Sequence, residues 1–418
     1  MKIRLMLSGK AWILLLFFYL LLLQNPLGEW MPLFNYTDEC LALIGPLLLV
    51  YRALRSGKIV AEKGNLKLIV ALVIFLAVGL LGNLIYDYQE TPAVLEDLYV
   101  NLKFFLVIVT GYELLCFCSY ENCKRVFLSQ AKLWAVVFFL LLIADLFFEV
   151  FESGGTRYEL RMVQLFYEHP TYLASVMVFL MAVLTLFHEK QNNKYLFMSG
   201  MILFFTLRGK AIAAVVVYFL IYFFVLIPRK KLQLWHFALF VVAALVVAWE
   251  QVVYYYIDLG GTSARSALTL AAIEIAKDYF PIGTGFGTFA SSVAAESYSP
   301  VYHMYGLNSI HGLVEGNVMF ASDTFWPIIV GQTGVIGTVC YVYVLVTLFQ
   351  RVLKLRRIDM FAYSSGIFTF AYMIISSTSE STFCNALSIP LALIFGFIYA
   401  IGKNSSANPE NRRIRENG

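Results

Sequence analysis

Charge is what this sequence has least of: Asp, Glu, Lys and Arg make up 14% of 418 residues. Hydrophobic residues make up 60% and mean hydropathy is +0.74, against an apolar share of about 45–50% in soluble domains. That shortage excludes a water-soluble fold and leaves a polytopic membrane protein. A formal net charge of +4 is too small to point to nucleic acid, so the placement of the basic residues matters more than their number. Cysteine is also scarce. Cys40, Cys116, Cys118, Cys123, Cys340 and Cys384 lie in or beside apolar runs, which excludes a disulfide framework. No histidine lies near Cys116, Cys118 or Cys123, so these read as helix-packing residues, not metal ligands.

What is abundant is long apolar sequence. A helix rises about 1.5 Å per residue through a hydrocarbon core of about 30 Å, so roughly 17–25 apolar residues span it. Twelve spans are expected, near 11–23, 33–51, 68–86, 98–118, 133–151, 171–188, 195–207, 211–227, 234–250, 326–349, 361–376 and 384–401. The chain then divides into spans one to nine (1–250), a polar segment (251–325), spans ten to twelve (326–402) and a short polar tail (403–418) expected to be disordered and cytoplasmic. Lys2, Arg4 and Lys10 before an apolar run resemble a signal peptide. Gln24-Asn25-Pro26 offers no small-residue cleavage site, however, and the segment reads as a retained helix.

With the N-terminus cytoplasmic, all but seven of the 31 Lys and Arg residues fall on the cytoplasmic side. Both termini are then inside and 251–325 is extracytoplasmic. The exceptions are Lys103, at the start of the fourth span, and Arg157, Arg161, Arg208, Lys210, Arg265 and Lys277 on the outer side. A charge beside the bilayer must snorkel, pair or bind an anion. Two readings stand: an outer basic cluster that holds phosphate, or ion pairs with outer carboxylates such as Glu152, Glu159, Asp258 and Glu274.

The polar segment holds the densest chemistry. Ser263-Ala264-Arg265-Ser266 leads into a helical pattern over Ala267–Tyr279, expected along the membrane surface, with Arg265 in its first turn. A cation there opposes the helix dipole, so local stability does not account for it. Pro281-Ile-Gly-Thr-Gly-Phe-Gly287 is a sharp turn that lets backbone approach the membrane or a ligand closely. No strand precedes it, so it is not a dinucleotide fingerprint. Tyr298, Tyr302, His303, Tyr305 and His311 suit either the bilayer interface or stacking on sugar faces. His303 and His311 stand eight apart, not a zinc spacing. Asp323 precedes Thr-Phe-Trp-Pro and reads either as a helix N-cap or as a partly desolvated carboxylate able to act as a general base.

Four features in this order resemble the O-antigen ligase and polymerase family: the late polar segment, Arg265 with the Pro281–Gly287 turn, Asp323-Thr-Phe-Trp-Pro leading to Gly334 and Gly337, and the basic turn at Arg208. The likeness covers about residues 165–350. It implies an all-α membrane glycosyltransferase of about 12 transmembrane helices, related in architecture to other lipid-phosphosugar (GT-C) enzymes, with short surface helices in its extracytoplasmic catalytic loop. It further implies an inverting, metal-independent reaction without cofactor. Undecaprenyl-diphosphate-linked oligosaccharides would be substrates, at the cell membrane, beside a chain-length regulator. Arg208, Arg265 and Asp323 would be catalytic, and Lys210, Arg161, Arg157, Lys277, His303, His311 and Tyr302 would bind diphosphate or glycan. Asp323-Thr324 stands where ligases of the family carry His-Asn, which favours polymerisation of repeat units over transfer to a lipid A-core acceptor. A lipid-linked sugar transporter is the rival from another class; matching halves, which transporters tend to show, are not visible.

Overall fold

The computed structural model describes residues 9–56, 63–228 and 253–407, with single positions between 233 and 249. The expected ninth span falls largely outside the described residues, as does the tail from 408. Each of the other expected spans coincides with a helix: α1 (Gly9–Trp30), α2 (Thr37–Ser56), α3 (Lys63–Tyr86), α4 (Thr91–Cys118), α5 (Tyr120–Phe148), α6 (Pro170–Leu186), α7 (Asn193–Phe205) and α8 (Gly209–Ile221), then, after α9 (Ala264–Asp278) in the polar segment, α10 (Trp326–Lys354), α11 (Met360–Ser376) and α12 (Ile389–Ala407). Among the described residues, eight helices are long and apolar enough to cross a membrane, and α6 and α11 are apolar but shorter. The 13 residues of α7 rise only about 20 Å, less than the hydrocarbon thickness. The chain is a helical membrane protein with one addition to the expected all-α class. Strands β1 (Ser153–Arg157) and β2 (Leu160–Val163) form an antiparallel hairpin, turned by Tyr158 and Glu159 at φ 52 and 62, both positive as a tight hairpin turn requires.

Small residues set the helix spacing. Helix α4 packs between α2 and α12. A side chain on Gly111 or Gly396 would strike the facing backbone, so glycine allows these two helices the close approach typical of membrane interfaces. On the other side, the Thr110 hydroxyl donates to the Leu41 carbonyl at 2.8 Å and accepts from Gly45 N at 2.9 Å. Lys103 is buried in α4 rather than placed at the bilayer surface, and its ammonium is paired with Asp38 and, at 2.9 Å, with Glu39 of α2. An intramembrane charge is tolerated when it faces the bundle interior and finds such partners.

The glycine-rich turn is a structural rivet. Helix α10 is broken at Gly334, whose φ of 59 and ψ of −158 are not helical. Thr284 N donates to Gly331 O at 3.0 Å, Gly285 N to Gln332 O at 2.8 Å, and Ile336 N to Pro281 O at 3.2 Å, so the turn fills the break. Asn83 of α3 clasps Phe286 by accepting from its N at 2.8 Å and donating to its O at 2.9 Å. Gly287 N donates to Asp97 of α4 at 2.9 Å. The turn thus approaches three helices. Helix α9 is held against the bundle: Ala267, Leu268, Ala271, Ala272 and Ile275 are buried and the helix packs on α10.

Candidate functional site

Two helix starts aim cations at one end of the bundle. The Ser263 hydroxyl accepts from Ser266 N at 3.2 Å, which caps α9 and puts Arg265 in its first turn. Arg265 Nη2 donates to Asp323 Oδ2 at 3.2 Å and to the Ser379 carbonyl at 3.5 Å. Its guanidinium lies 4.4 Å from the Tyr255 ring centre, a cation–π distance, and its Nε is buried without an acceptor among the described residues. The N-cap position of α10 is Phe325, so Asp323 is not the cap of that helix; it pairs with Arg265. Burial raises the Asp323 carboxyl above the usual range, while the charges of Arg265 and Arg208 pull it the other way without cancelling the rise.

The second start follows Leu207, whose φ of 51 turns the chain so that Arg208 occupies the N-cap position of α8. Among the described residues the Arg208 side chain has no hydrogen-bond or ion-pair partner. Burial, then the positive charges of Arg157 and Arg265, lower its pKa; Glu380 offsets part of this. Arg157 reaches the same turn, donating to the Leu207 carbonyl at 3.3 Å. Lys210, in the first turn of α8, is ion-paired with Glu380. His169 completes the group. Its Nδ1 accepts from Thr171 N at 3.3 Å at the start of α6, which places the proton of the neutral ring on Nε2. Burial first, then Arg208 and Lys210, push its pKa down to about 4.

The structure therefore brings Arg157, Arg208, Lys210, Arg265 and Asp323 together, and adds His169, Tyr255 and Glu380, which the sequence did not single out. The other expected residues lie elsewhere or are engaged. Arg161 donates to Asp145 Oδ2 at 2.6 Å and to the Phe151 carbonyl, locking the hairpin to the end of α5. Lys277 is exposed at the far end of α9, roughly 18 Å from Arg265 along the helix. Tyr302 is fully buried, its hydroxyl accepting from Ala290 N at 3.2 Å. His303 packs edge-on to Tyr298 and His311 tilts against Phe320, both exposed in the polar segment. Among the described residues no group of three or more His, Cys, Asp or Glu side chains could hold a metal ion.

No protein-family model matches this chain, and no curated protein matches it. The site's chemistry stands on its geometry. Arg157, Arg208, Lys210 and Arg265 gather beside Asp323 and Glu380; Lys210 and Arg265 are held in ion pairs, and the Arg208 side chain has no ion-pair partner among the described residues. Such a site can bind an anion and stabilise charge that grows on it.

Proposed function

We propose that this protein is a membrane glycosyltransferase that polymerises undecaprenyl-diphosphate-linked oligosaccharide units on the outer face of the cell membrane. The observation that carries the reading is Arg208, half-buried beside other cations and with no ion-pair partner of its own among the described residues. A diphosphate diester brings the negative charge that Arg208 is short of. Arg208 and Arg265, with Arg157 beside them, take the diphosphate and stabilise the charge left on it as the glycosidic bond breaks. Diphosphate competing for Arg265 frees Asp323, whose raised pKa suits it to accept the proton of the attacking sugar hydroxyl. Attack opposite the leaving group inverts the anomeric centre.

The test uses purified protein in detergent, without a sealed compartment, and lipid-linked oligosaccharide. Lengthening under these conditions marks an enzyme rather than a transporter. Arg208→Ala and Arg265→Ala are each expected to slow lengthening by about 10²–10³-fold, the usual cost of removing one electrostatic donor. Wild-type polymer from either variant, or no lengthening by the wild type, would sink the proposal.

A further inference from the structure

A cavity of about 210 Å³ opens beside the charged cluster, between the end of α1, the start of α6 and the segment leading into α12. It adjoins the cluster through the start of α6: Tyr172 lines the cavity and lies within one turn of His169, the N-cap of that helix. The lining residues include no charged side chain. Amide and hydroxyl groups from Gln24, Asn35, Tyr167, Tyr172 and Ser175 alternate with aliphatic surface such as Leu387. Some of these groups are committed to the fold. Ser175 donates to the Leu387 carbonyl at 2.7 Å and Tyr167 to the Leu22 carbonyl at 2.9 Å. Gln24 Nε2 is held by the Asn35 carbonyl at 3.2 Å and by Asp38 at 2.7 Å. The Tyr172 hydroxyl, the Asn35 side-chain amide and Gln24 Oε1 make no hydrogen bond among the described residues.

A neutral ligand with hydroxyls on its rim and an apolar face fits such walls, and a charged or wholly aliphatic one does not. The volume is below the roughly 300–1,000 Å³ of sites that take a drug-sized molecule, which fits a single ring and excludes a prenyl chain. We infer that this cavity is a subsite for one sugar unit carried on the diphosphate. The inference rests on the glycosyltransferase reading above and adds to it the place where the sugar, as distinct from the diphosphate, is recognised.

The test compares binding of undecaprenyl diphosphate, bare or carrying one hexose or one N-acetylhexosamine, to the full chain in nanodiscs. The wild type is expected to bind at least one sugar-bearing form more tightly than the bare form. Tyr172→Phe should lower that gain by about 3–10-fold, the worth of one neutral hydrogen bond. Val176→Phe, which fills the cavity from its α6 wall, should abolish the gain, and both variants should bind the bare form as the wild type does. Tyr172→Phe keeps the ring and guards against misfolding of the bulkier change. A sugar-dependent gain that survives in both variants, or a wild type that binds bare and sugar-bearing forms alike, overturns the subsite and leaves the diphosphate reading standing. A wild type that binds neither form overturns both.

Discussion

At the scale of single residues, basic side chains of similar appearance in the sequence divide by their partners. Arg161 and Lys210 are held by Asp145 and Glu380, and their work is structural. Breaking a buried pair leaves one charge stranded, at a cost of about 3–5 kcal/mol, whereas replacing both partners with apolar groups is often neutral. The Lys210–Glu380 side chains are 8% and 14% exposed, so Lys210→Met should destabilise strongly and Lys210→Met/Glu380→Met should regain most of the loss. Unfolding in detergent measures this; two single variants as stable as the wild type would show the pair to be unimportant. His169 gives a pH signature. Its folded pKa of about 4 lies below the ordinary 6.5, so the unfolded chain binds more protons between those values. Stability should be full above about pH 6.5 and decline as pH falls toward 4. His169→Asn, which keeps a capping side chain, should flatten that part of the melting-temperature profile. An unchanged slope in the variant would assign the acid sensitivity to other groups.

At the scale of elements, the pairing of α10 with the 281–287 turn explains how a polar segment holds a site steady against a membrane bundle. A Cβ on Gly283 or Gly334 would run into the other's backbone, and both residues have positive φ. Gly334→Ala is therefore expected to displace the turn and lose the α10 break together. Asn83→Ala is the milder probe. It strands the amide and carbonyl of Phe286, at about 1–3 kcal/mol, and should raise hydrogen exchange in 281–287 more than in α4; equal exchange in both would deny the clasp. Elements of this kind differ in how far the sequence shows them. Helix positions follow from apolar length, which is local, and so a helix lies at each expected span among the described residues. The hairpin escapes because Tyr158-Glu159 carries none of the usual Asn-Gly or Asp-Gly turn signal. Arg265 and Asp323 stood out as charges flanking a patterned helix and a Trp-Pro helix start. Glu380 did not, because an acid in a Ser/Thr-rich connection acquires meaning only from Lys210, far away in sequence.

At the scale of the whole molecule, the fold separates two populations of basic residues. One end carries Lys124 and Lys132 of α5, Lys190, and Lys194 at the start of α7, and Lys124 and Lys132 share Glu189 there. The opposite end of α6 begins at His169, within reach of Arg208 and Lys210. A glycan polymerase working on exported substrate needs the second end outside, and the positive-inside tendency puts the first end in the cytoplasm. On the proposed function, the argument from substrate chemistry and the argument from basic-residue placement predict the same orientation. Exposed positions at each end make it measurable: Glu315 in the polar segment and Lys190 between α6 and α7. With the native cysteines replaced, Glu315→Cys should react with a membrane-impermeant maleimide on intact spheroplasts, and Lys190→Cys only after permeabilisation. The reverse pattern would place Arg208, Arg265 and Asp323 on the cytoplasmic side, where an outer-face polymerase has no substrate.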